Sequence, residues 1–203
     1  MERLSVIKSR AAALPWSNVD TDMIIRVERC VRTPRAEMGK WAFETARYRP
    51  DGAERSEFPL NQDKFRGAQV LVAAENFGCG SSREMAVWAI AGMGFRCVVA
   101  PSFGDIFYNN CFQNGVLPIR LPAADVARLL SVLERSASAV ELVVDLPAQR
   151  LTTPDGAHHF DIDPLRKKSL LEGLDAVGVT LTRETAIAAW QEKDRLRRPW
   201  VWR

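Results

Sequence analysis

Residues 69–91 read QVLVAAENFGCGSSREMAVWAIA and place a strand, a glycine-containing loop and a helix one after another. The apolar run Gln69–Ala74 is short and partly β-branched, which is typical of a buried strand. From Glu84 to Ala91 the apolar residues recur at helical spacing. A strand followed directly by a helix is the unit from which layered α/β domains are built.

Strands and helices continue to alternate on the C-terminal side of this unit. Cys97–Ala100 is the next predicted strand, and Phe103–Phe112 is the next predicted helix, with Ser102 as its cap. Further strands are predicted at Val116–Leu121, Val140–Leu146 and Arg150–Thr153, and further helices at Pro122–Arg135, Pro164–Leu174 and Arg183–Arg195. We therefore predict a single α/β domain over residues 1–203, with its core in residues 4–125 and C-terminal strands and helices in residues 126–203.

The segment before this unit has a weaker pattern. Val19–Val27 looks like an extended segment that opens the domain, and Arg29–Phe65 is predicted to be a long loop with one short helix. If Asn18–Asp22 is extended, Asp20 and Asp22 lie on one face and form a pair of carboxylates. The alternative is that these aspartates only form turns or cap a helix, because Asp readily bonds to nearby backbone.

The composition is that of one globular domain with a core, since 47% of the 203 residues are hydrophobic and 26% are charged. The 28 basic and 25 acidic residues lie along the whole chain and leave a net charge of +3, so nucleic acid is not a predicted partner. No run approaches the roughly 20 apolar residues of a membrane span, so we predict a cytoplasmic protein without a membrane partner.

The cysteines and histidines limit the metal chemistry that we expect from the chain. Its cysteines are Cys30, Cys79, Cys97 and Cys111, and their wide spacing predicts free thiols. No Cys-x-x-Cys pair occurs, and the only histidines are the neighbours His158 and His159. We therefore predict no metal site on this chain.

The loop Gly78–Glu84, Gly-Cys-Gly-Ser-Ser-Arg-Glu, carries the candidate chemistry. Backbone N–H groups at the start of a helix attract anions, and glycines let a ligand approach the backbone closely. Ser81 and Ser82 add hydroxyl groups, and Arg83 offers a fork that suits a carboxylate. The loop therefore predicts a binding site for a small carboxylate.

Other interpretations of this loop either need residues that the sequence lacks or give the loop only a structural role. A phosphate-binding loop needs a lysine before its serine or threonine, a serine-hydrolase elbow needs Gly-x-Ser-x-Gly, and neither is present. A Cys79 nucleophile would need one of the two histidines as its base. The simplest alternative is structural, with a serine capping the helix and Glu84 completing the cap.

Three motifs that occur in order give the chain a resemblance to a known family. They are Asn18–Ile25 (NVDTDMII), Asn76–Glu84 (NFGCGSSRE) and Ala100–Cys111 (APSFGDIFYNNC), and Asn114–Pro118 and Gly173–Leu181 extend the match over nearly the whole chain. In these residues the chain resembles the small subunits of 3-isopropylmalate dehydratase, which belong to the aconitase superfamily. The resemblance implies a swivelling, layered β/β/α domain with a C-terminal helical extension.

The resemblance also implies an activity and a partner. The activity is that of a hydro-lyase of leucine biosynthesis, which converts 2-isopropylmalate to 3-isopropylmalate through 2-isopropylmaleate. The chain would act only with a large subunit, as a heterodimer or a larger assembly. No cofactor is expected on this chain, because the [4Fe-4S] cluster would lie on the large subunit.

Individual roles follow from the matched motifs. Ser81 would be the base that removes the carbon-bound proton and returns it, and Asp22 would support it. The residues that would bind the dicarboxylate substrate are Cys79, Gly80, Ser82 and Arg83. The segment Arg29–Tyr48 would select the side group of the substrate.

Two features leave further alternatives open. Met85 stands where the family usually has histidine, and Arg26 stands where proline is usual, so a paralogue for another substituted malate (citraconate, dimethylmalate or homoaconitate type) or a non-catalytic relative remains an alternative. The basic end Arg195–Arg203 contains Trp200 and Trp202. It is either a solvated tail or an anchor for a protein partner.

Overall fold

The computed structural model describes residues 1–202, and only Arg203, the last residue of the basic end, lies outside the described part. Seven strands form one sheet in this part. They are β1 Val6–Leu14, β2 Val70–Ala73, β3 Cys97–Ala100, β4 Leu117–Arg120, β5 Glu141–Asp145, β6 Arg150–Thr153 and β7 Gly156–His159. Their order is β4-β3-β2-β1-β5-β6-β7, with parallel pairing from β4 to β1 and antiparallel pairing from β1 to β7. The predicted α/β class is confirmed.

Strand β1 lies at the point where the sheet changes from parallel to antiparallel, and it was absent from our sequence prediction. Its first half pairs with β5 and alternates between exposed and buried residues. Its second half, Ala11–Leu14, is fully buried and pairs with β2. The change of pattern within one strand follows from the change of neighbours, because parallel strands are covered on both faces.

Helices pack against the parallel half of the sheet. The α-helices of residues 1–202 are α1 Thr21–Ile24, α2 Val27–Arg32, α3 Glu44–Arg47, α4 Met85–Gly92, α5 Asp105–Gln113, α6 Ala123–Arg135, α7 Pro164–Glu172, α8 Ala176–Leu181 and α9 Glu184–Arg197. Every residue of β2 and β3 is buried, α5 packs on β4, and α6 packs across β1, β2 and β3. None of the helices in this part of the chain is long and apolar enough to cross a bilayer.

Two local predictions are wrong, and one short helix was not predicted. Val19–Val27 is not extended, because Asp20 caps the short helix α1 by accepting a hydrogen bond from the Met23 N–H at 2.7 Å. Ser102 does not cap α5, which begins later, at Asp105; the Ser102 hydroxyl accepts from the Asn76 N–H at 2.8 Å instead. Helix α8 was not predicted, and its first turn is capped by Asp175.

The predicted long loop, Arg29–Phe65, is also wrong in its main feature, because it contains several short helices that pack onto the body. Besides α3 and the end of α2, 3-10 turns cover Arg35–Trp41, Pro59–Asn61 and Asp63–Phe65. The first of these turns approaches α4 so closely that a Cβ on Gly39 would lie 2.1 Å from the backbone carbonyl carbon of Gly92. The segment is therefore held at a fixed distance from the helix that follows the Gly78–Glu84 loop.

Candidate functional site

The three sequence motifs meet beyond the C-terminal ends of β1, β2 and β3. The segment after β2 runs between the segments after β1 and β3, and backbone hydrogen bonds join it to both. On one side, the Gly78 N–H donates to the Val19 carbonyl at 2.7 Å, and the Thr21 N–H donates to the Cys79 carbonyl at 3.0 Å. On the other side, the Gly104 N–H donates to Phe77 at 2.9 Å. This is the edge at which parallel α/β sheets usually bind ligands.

Gly78 is required by the packing at the start of the loop. Its φ angle is +73°, and a Cβ there would lie 2.2 Å from the ring of Phe107 in α5. Phe77, the residue before it, is fully buried, with its ring edge-on to Phe107 at a centroid distance of 5.4 Å. The loop is therefore anchored in the core immediately before it emerges as Cys79–Arg83.

Ser81 lies next to a second hydroxyl group that the sequence motif did not identify as functional. Its Oγ is 2.8 Å from Oγ1 of Thr21, and either hydroxyl can donate to the other. Ser81 is exposed, whereas Thr21 is 1% exposed and held by the start of α1. The buried Thr21 hydroxyl therefore occupies one hydrogen-bonding direction of Ser81, and the rest of the Ser81 side chain stays accessible to a ligand.

The structural interpretation of the two serines is wrong. Helix α4 begins at Met85, and the residue at its N-cap position, Glu84, makes no side-chain capping hydrogen bond. Ser81 and Ser82 precede the helix by several residues, so neither serves as its cap. Because Ser81 is bonded across the site to Thr21, its position is set by a tertiary contact.

Arg83 points to the same region and is paired with Asp22. The Asp22 carboxylate contacts Nη1 of Arg83, and this contact raises the pKa of the guanidinium. Nη1 is buried, and within the described residues no hydrogen-bond partner other than this carboxylate is available to it. A guanidinium with unfilled donor directions can accept a second carboxylate.

The two aspartates of the first motif therefore have different roles. Asp20 caps α1, as the structural alternative predicted, whereas Asp22 is exposed and contacts Arg83. They do not form a pair of carboxylates on one face.

The remaining predicted ligand-binding residues lie along the exposed part of the loop. Ser82 and Gly80 are exposed, and Gly80 passes beside Asp20. Cys79 is partly buried and contributes its carbonyl to the Thr21 N–H.

Glu84 and Met85 have partners outside this group of residues. A carboxylate oxygen of Glu84 accepts a hydrogen bond from the Asn114 side chain at 2.9 Å, and Asn114 in turn accepts from Trp88 at 2.9 Å and from Arg35 at 2.8 Å. Met85 is partly buried and packs against the hydrophobic core. Met85, one of the two residues that depart from the family pattern, therefore has a packing role in this structure.

The segment Arg29–Tyr48 lines one side of a cavity of about 800 Å³. Arg29 makes a bidentate contact with Glu44, and its guanidinium stacks on Trp41 with its carbon 3.5 Å from the ring centroid. The hydrogen bond from Arg29 lowers the pKa of Glu44. The lining residues are Arg26, Arg29, Lys40, Trp41, Glu44, Thr45, Tyr48, Arg49, Pro50, Gly52 and Arg55.

This segment also reaches the loop. Cys30 of α2 lies near enough to Arg83 and Asp22 for their charges to act on it, although burial has the largest effect and raises the pKa of the Cys30 thiol. The segment predicted to select the substrate is thus a neighbour of the predicted carboxylate site.

The cysteines and histidines of the chain do not come together. Burial strongly raises the pKa of the Cys97 and Cys111 thiols, and both are fully enclosed in the core. His158 and His159 lie on the edge strand β7, near Asp125 and Asp161 respectively. Three strands separate β7 from β2, the strand that leads to Cys79, so the alternative of a Cys79 nucleophile with a histidine base is wrong. Within residues 1–202, no three His, Cys, Asp or Glu side chains are grouped so that they could hold a metal ion, and this part of the chain offers no ligand set for an iron–sulfur cluster.

Comparison with known proteins agrees with the motifs. Residues 1–124 match the family described as the aconitase C-terminal domain, and residues 127–164 match the family described as LeuD_N. The chain is 50% identical over 202 residues to the 3-isopropylmalate dehydratase small subunit of Paramagnetospirillum magneticum, and 99% of this chain and 100% of that protein are covered. The protein of the same name from Parvibaculum lavamentivorans is 49% identical with the same coverage.

A solved structure supports the same relationship. The crystal structure of 3-isopropylmalate dehydratase (leuD) from Methanocaldococcus jannaschii DSM2661 is similar with a TM-score of 0.66 and 26% identity. The similarity covers 91% of this chain and 98% of that one. The chain therefore belongs to the aconitase C-terminal domain family and, within it, to the 3-isopropylmalate dehydratase small subunits.

Proposed function

We propose that this chain is the small subunit of a heteromeric hydro-lyase that converts 2-isopropylmalate to 3-isopropylmalate through 2-isopropylmaleate, a cytoplasmic step of leucine biosynthesis. The observation that carries the proposal is the convergence of the Ser81 and Thr21 hydroxyls with Arg83 at the C-terminal edge of the parallel strands. The full-length similarity to proteins named as small subunits of this enzyme supports the substrate.

Ser81 is the proposed base. The reaction removes a proton from one carbon of the substrate and a hydroxyl group from its neighbour, and the intermediate then takes up both in the opposite sense. Serine can accept this proton only as an alkoxide, after its own hydroxyl proton has left to solvent, and the alkoxide needs a hydrogen-bond donor already in place. Thr21 supplies one at 2.8 Å. Because Thr21 is buried, the donor does not have to reorganise during the reaction.

Arg83 is the proposed anchor for a substrate carboxylate. In the free chain, Asp22 balances its charge, and the exposed Asp22 side chain can move aside or share the guanidinium when a substrate carboxylate arrives. Ser82, Gly80 and Cys79 provide hydroxyl and backbone groups beside it. Since the first carboxylate is then fixed, the proton to be removed is held at a set distance from Ser81.

The segment Arg29–Tyr48 is the proposed selector of the substrate's side group. It lies between the cavity and the loop, and its distance from α4 is fixed by the contact of Gly39 with Gly92. Cys30 in this segment lies close enough to Arg83 and Asp22 for their charges to act on its thiol, and this proximity supports a shared site.

The proposed partner is the large subunit of the same enzyme. The relatives are named small subunits, which implies a larger one, and this chain lacks the ligands for a cluster in its described residues. We infer that a [4Fe-4S] cluster on the large subunit supplies the Lewis acid that hydroxide loss requires.

The test is co-expression of this chain with its large subunit, followed by an anaerobic assay on 2-isopropylmalate. Turnover to 3-isopropylmalate is expected for the complex, and neither chain alone should support it. No turnover in a complex whose cluster is intact by spectroscopy would contradict the proposal. Citraconate, dimethylmalate and homoaconitate substrates in the same assay measure how selective the complex is.

A further inference from the structure

The last part of the chain, residues 175–202, forms what we call the C-terminal arm, and it consists of α8, α9 and the 3-10 turn Pro199–Trp202. Within residues 1–202, the main packing partner of α9 is that turn, and Asp194 is its only buried residue. Large apolar side chains of the arm are exposed, among them Val177, Leu181, Trp190, Leu196, Trp200 and Val201. The arm therefore adds little to the core of the domain but exposes much apolar surface.

The arm has its own internal structure, centred on Asp194. One carboxylate oxygen of Asp194 accepts from Arg198 Nε at 2.7 Å, and the other accepts from Trp202 Nε1 at 3.0 Å. Arg195 also lies over the Trp202 ring, with its guanidinium carbon 5.0 Å from the centroid. These contacts fix the terminal turn against α9, so Trp190 and Trp200 are presented on an ordered element, and a partner does not have to order the chain first.

The net charge of the protein comes from its last 21 residues, which include α9, the terminal turn and Arg203. Residues 183–203 contain six basic and three acidic residues, whereas residues 1–182 contain 22 of each. Although charged residues occur throughout the chain, their excess is thus confined to its end. Exposed tryptophan and arginine side chains of this kind are the residues most enriched at the centres of protein interfaces.

We propose that the C-terminal arm docks into an apolar groove with an acidic rim on the large subunit. The inference rests on the proposed function for the existence of that subunit, and it adds the surface of this chain that binds it. The relatives named as small subunits match this chain over 99% of its length, so they carry the arm as well.

Two other binding partners, a second copy of the chain and a membrane surface, suit the arm less well. If two copies of the chain met through their arms, the excess positive charge of residues 183–203 in one copy would face that of the other, and such pairing is unfavourable. A membrane-surface helix separates apolar and charged faces. On α9, by contrast, Glu192, Lys193, Arg195 and Arg197 are interleaved with Trp190 and Leu196 around the helix. A helix of mixed faces suits a protein groove that encloses it on several sides.

The test compares the affinity of full-length variants for the purified large subunit by isothermal titration calorimetry. The two arm variants are Trp190→Ala/Trp200→Ala and Arg195→Glu/Arg197→Glu, and the matched controls on the body are Val6→Ala and Arg135→Glu/Arg150→Glu. Apart from Arg195, the substituted residues are exposed, and within the described residues their side chains make no hydrogen bond or ion pair. Arg195 contacts only Glu192 and Trp202. The variants should therefore fold. Thermal unfolding of each variant checks this.

We expect each arm variant to weaken the Kd by about 30-fold or more, and each control by less than about threefold. For the wild type, the Kd should also weaken between low and high salt, and the charge-reversed arm variant should lose that dependence. If the wild type binds the large subunit and both arm variants bind equally well, the arm inference is wrong while the proposed function stands. If the wild type does not bind the large subunit, both are wrong. If the arm variants keep this Kd but lose self-association in sedimentation, the arm binds a second copy of the chain. If they keep this Kd but lose binding to anionic vesicles, the arm binds a membrane surface.

Discussion

Replacement of Thr21 by valine removes the hydroxyl beside Ser81 but keeps the size of the side chain. In the ground state the loss is small, because Ser81 is exposed and water can replace the lost partner, so the free energy of unfolding should fall by about 1 kcal/mol or less. During turnover the same hydroxyl would stabilise the Ser81 alkoxide, which is the form that accepts the substrate proton and forms again when that proton is returned. Removal of one donor of this kind costs about 10²–10³ in kcat.

The assay is steady-state kinetics of the assembled complex with 2-isopropylmalate, together with thermal unfolding of the small subunit. We expect Thr21→Val to lower kcat by about 10² with little change in KM, because the lost bond does not touch the substrate. Thr21→Ser is the matched control, since it keeps the hydroxyl, and its kcat should stay within about tenfold of wild type. A folded Thr21→Val complex whose kcat stays within about threefold of wild type would refute the role given to Thr21.

Three further predictions concern the neighbouring groups. Arg83→Lys should raise KM by about tenfold or more in the same assay, because a single ammonium cannot hold a carboxylate in two directions, and an unchanged KM would contradict its role as anchor. Gly39→Ala should lower the free energy of unfolding by about 3 kcal/mol in chemical denaturation, because the new methyl group meets the backbone of Gly92 at 2.1 Å; an effect within error would show that the two segments are not in tight contact. Glu44→Gln should lower the Tm at neutral pH, because Arg29 holds the pKa of Glu44 below its ordinary value. The stabilisation is present above the unfolded pKa of about 4.3 and is lost as the pH falls below it, so the Tm difference from wild type should shrink between about pH 7 and pH 3.5.

The strands and helices with strong local patterns could be predicted from the sequence. Cys97–Ala100 was predicted with the correct bounds, because a short apolar run between turn residues needs no tertiary information. Strand β1 could not be recognised in the same way. Its first half contains Lys8, Ser9 and Arg10, and its second half contains three alanines, which have weak strand propensity. Its place in the sheet comes from pairing with β2 and β5, which lie far away in the chain.

Individual residues of the candidate site could be predicted from the sequence, but the contacts between them could not. Ser81, Arg83 and Asp22 were identified from the motifs, and the structure brings them to one place. Thr21 was not predicted to be a site residue, because a threonine between two aspartates is typical of a turn. The available signal was its position inside a motif whose other residues were already assigned to the site.

The structural alternative, in which a serine caps the helix, is wrong for a related reason. A serine before a helix usually caps it, because no other partner competes for its hydroxyl. Here the loop extends past that position, and Thr21 is brought within 2.8 Å by the segment after β1. A local rule was therefore overridden by a contact between residues that are 60 positions apart in the sequence.

The proposal that Ser81 is the base is tested most directly by the rate at which the complex exchanges the carbon-bound proton of the substrate in deuterated water. NMR measures this rate. The variants are Ser81→Ala and, as the matched neighbour, Ser82→Ala, each with the cluster content verified. We predict that Ser81→Ala slows both this proton exchange and turnover by about 10² or more, whereas Ser82→Ala mainly raises KM. Exchange and turnover that stay within about threefold of wild type in Ser81→Ala would contradict the claim that this serine is the base.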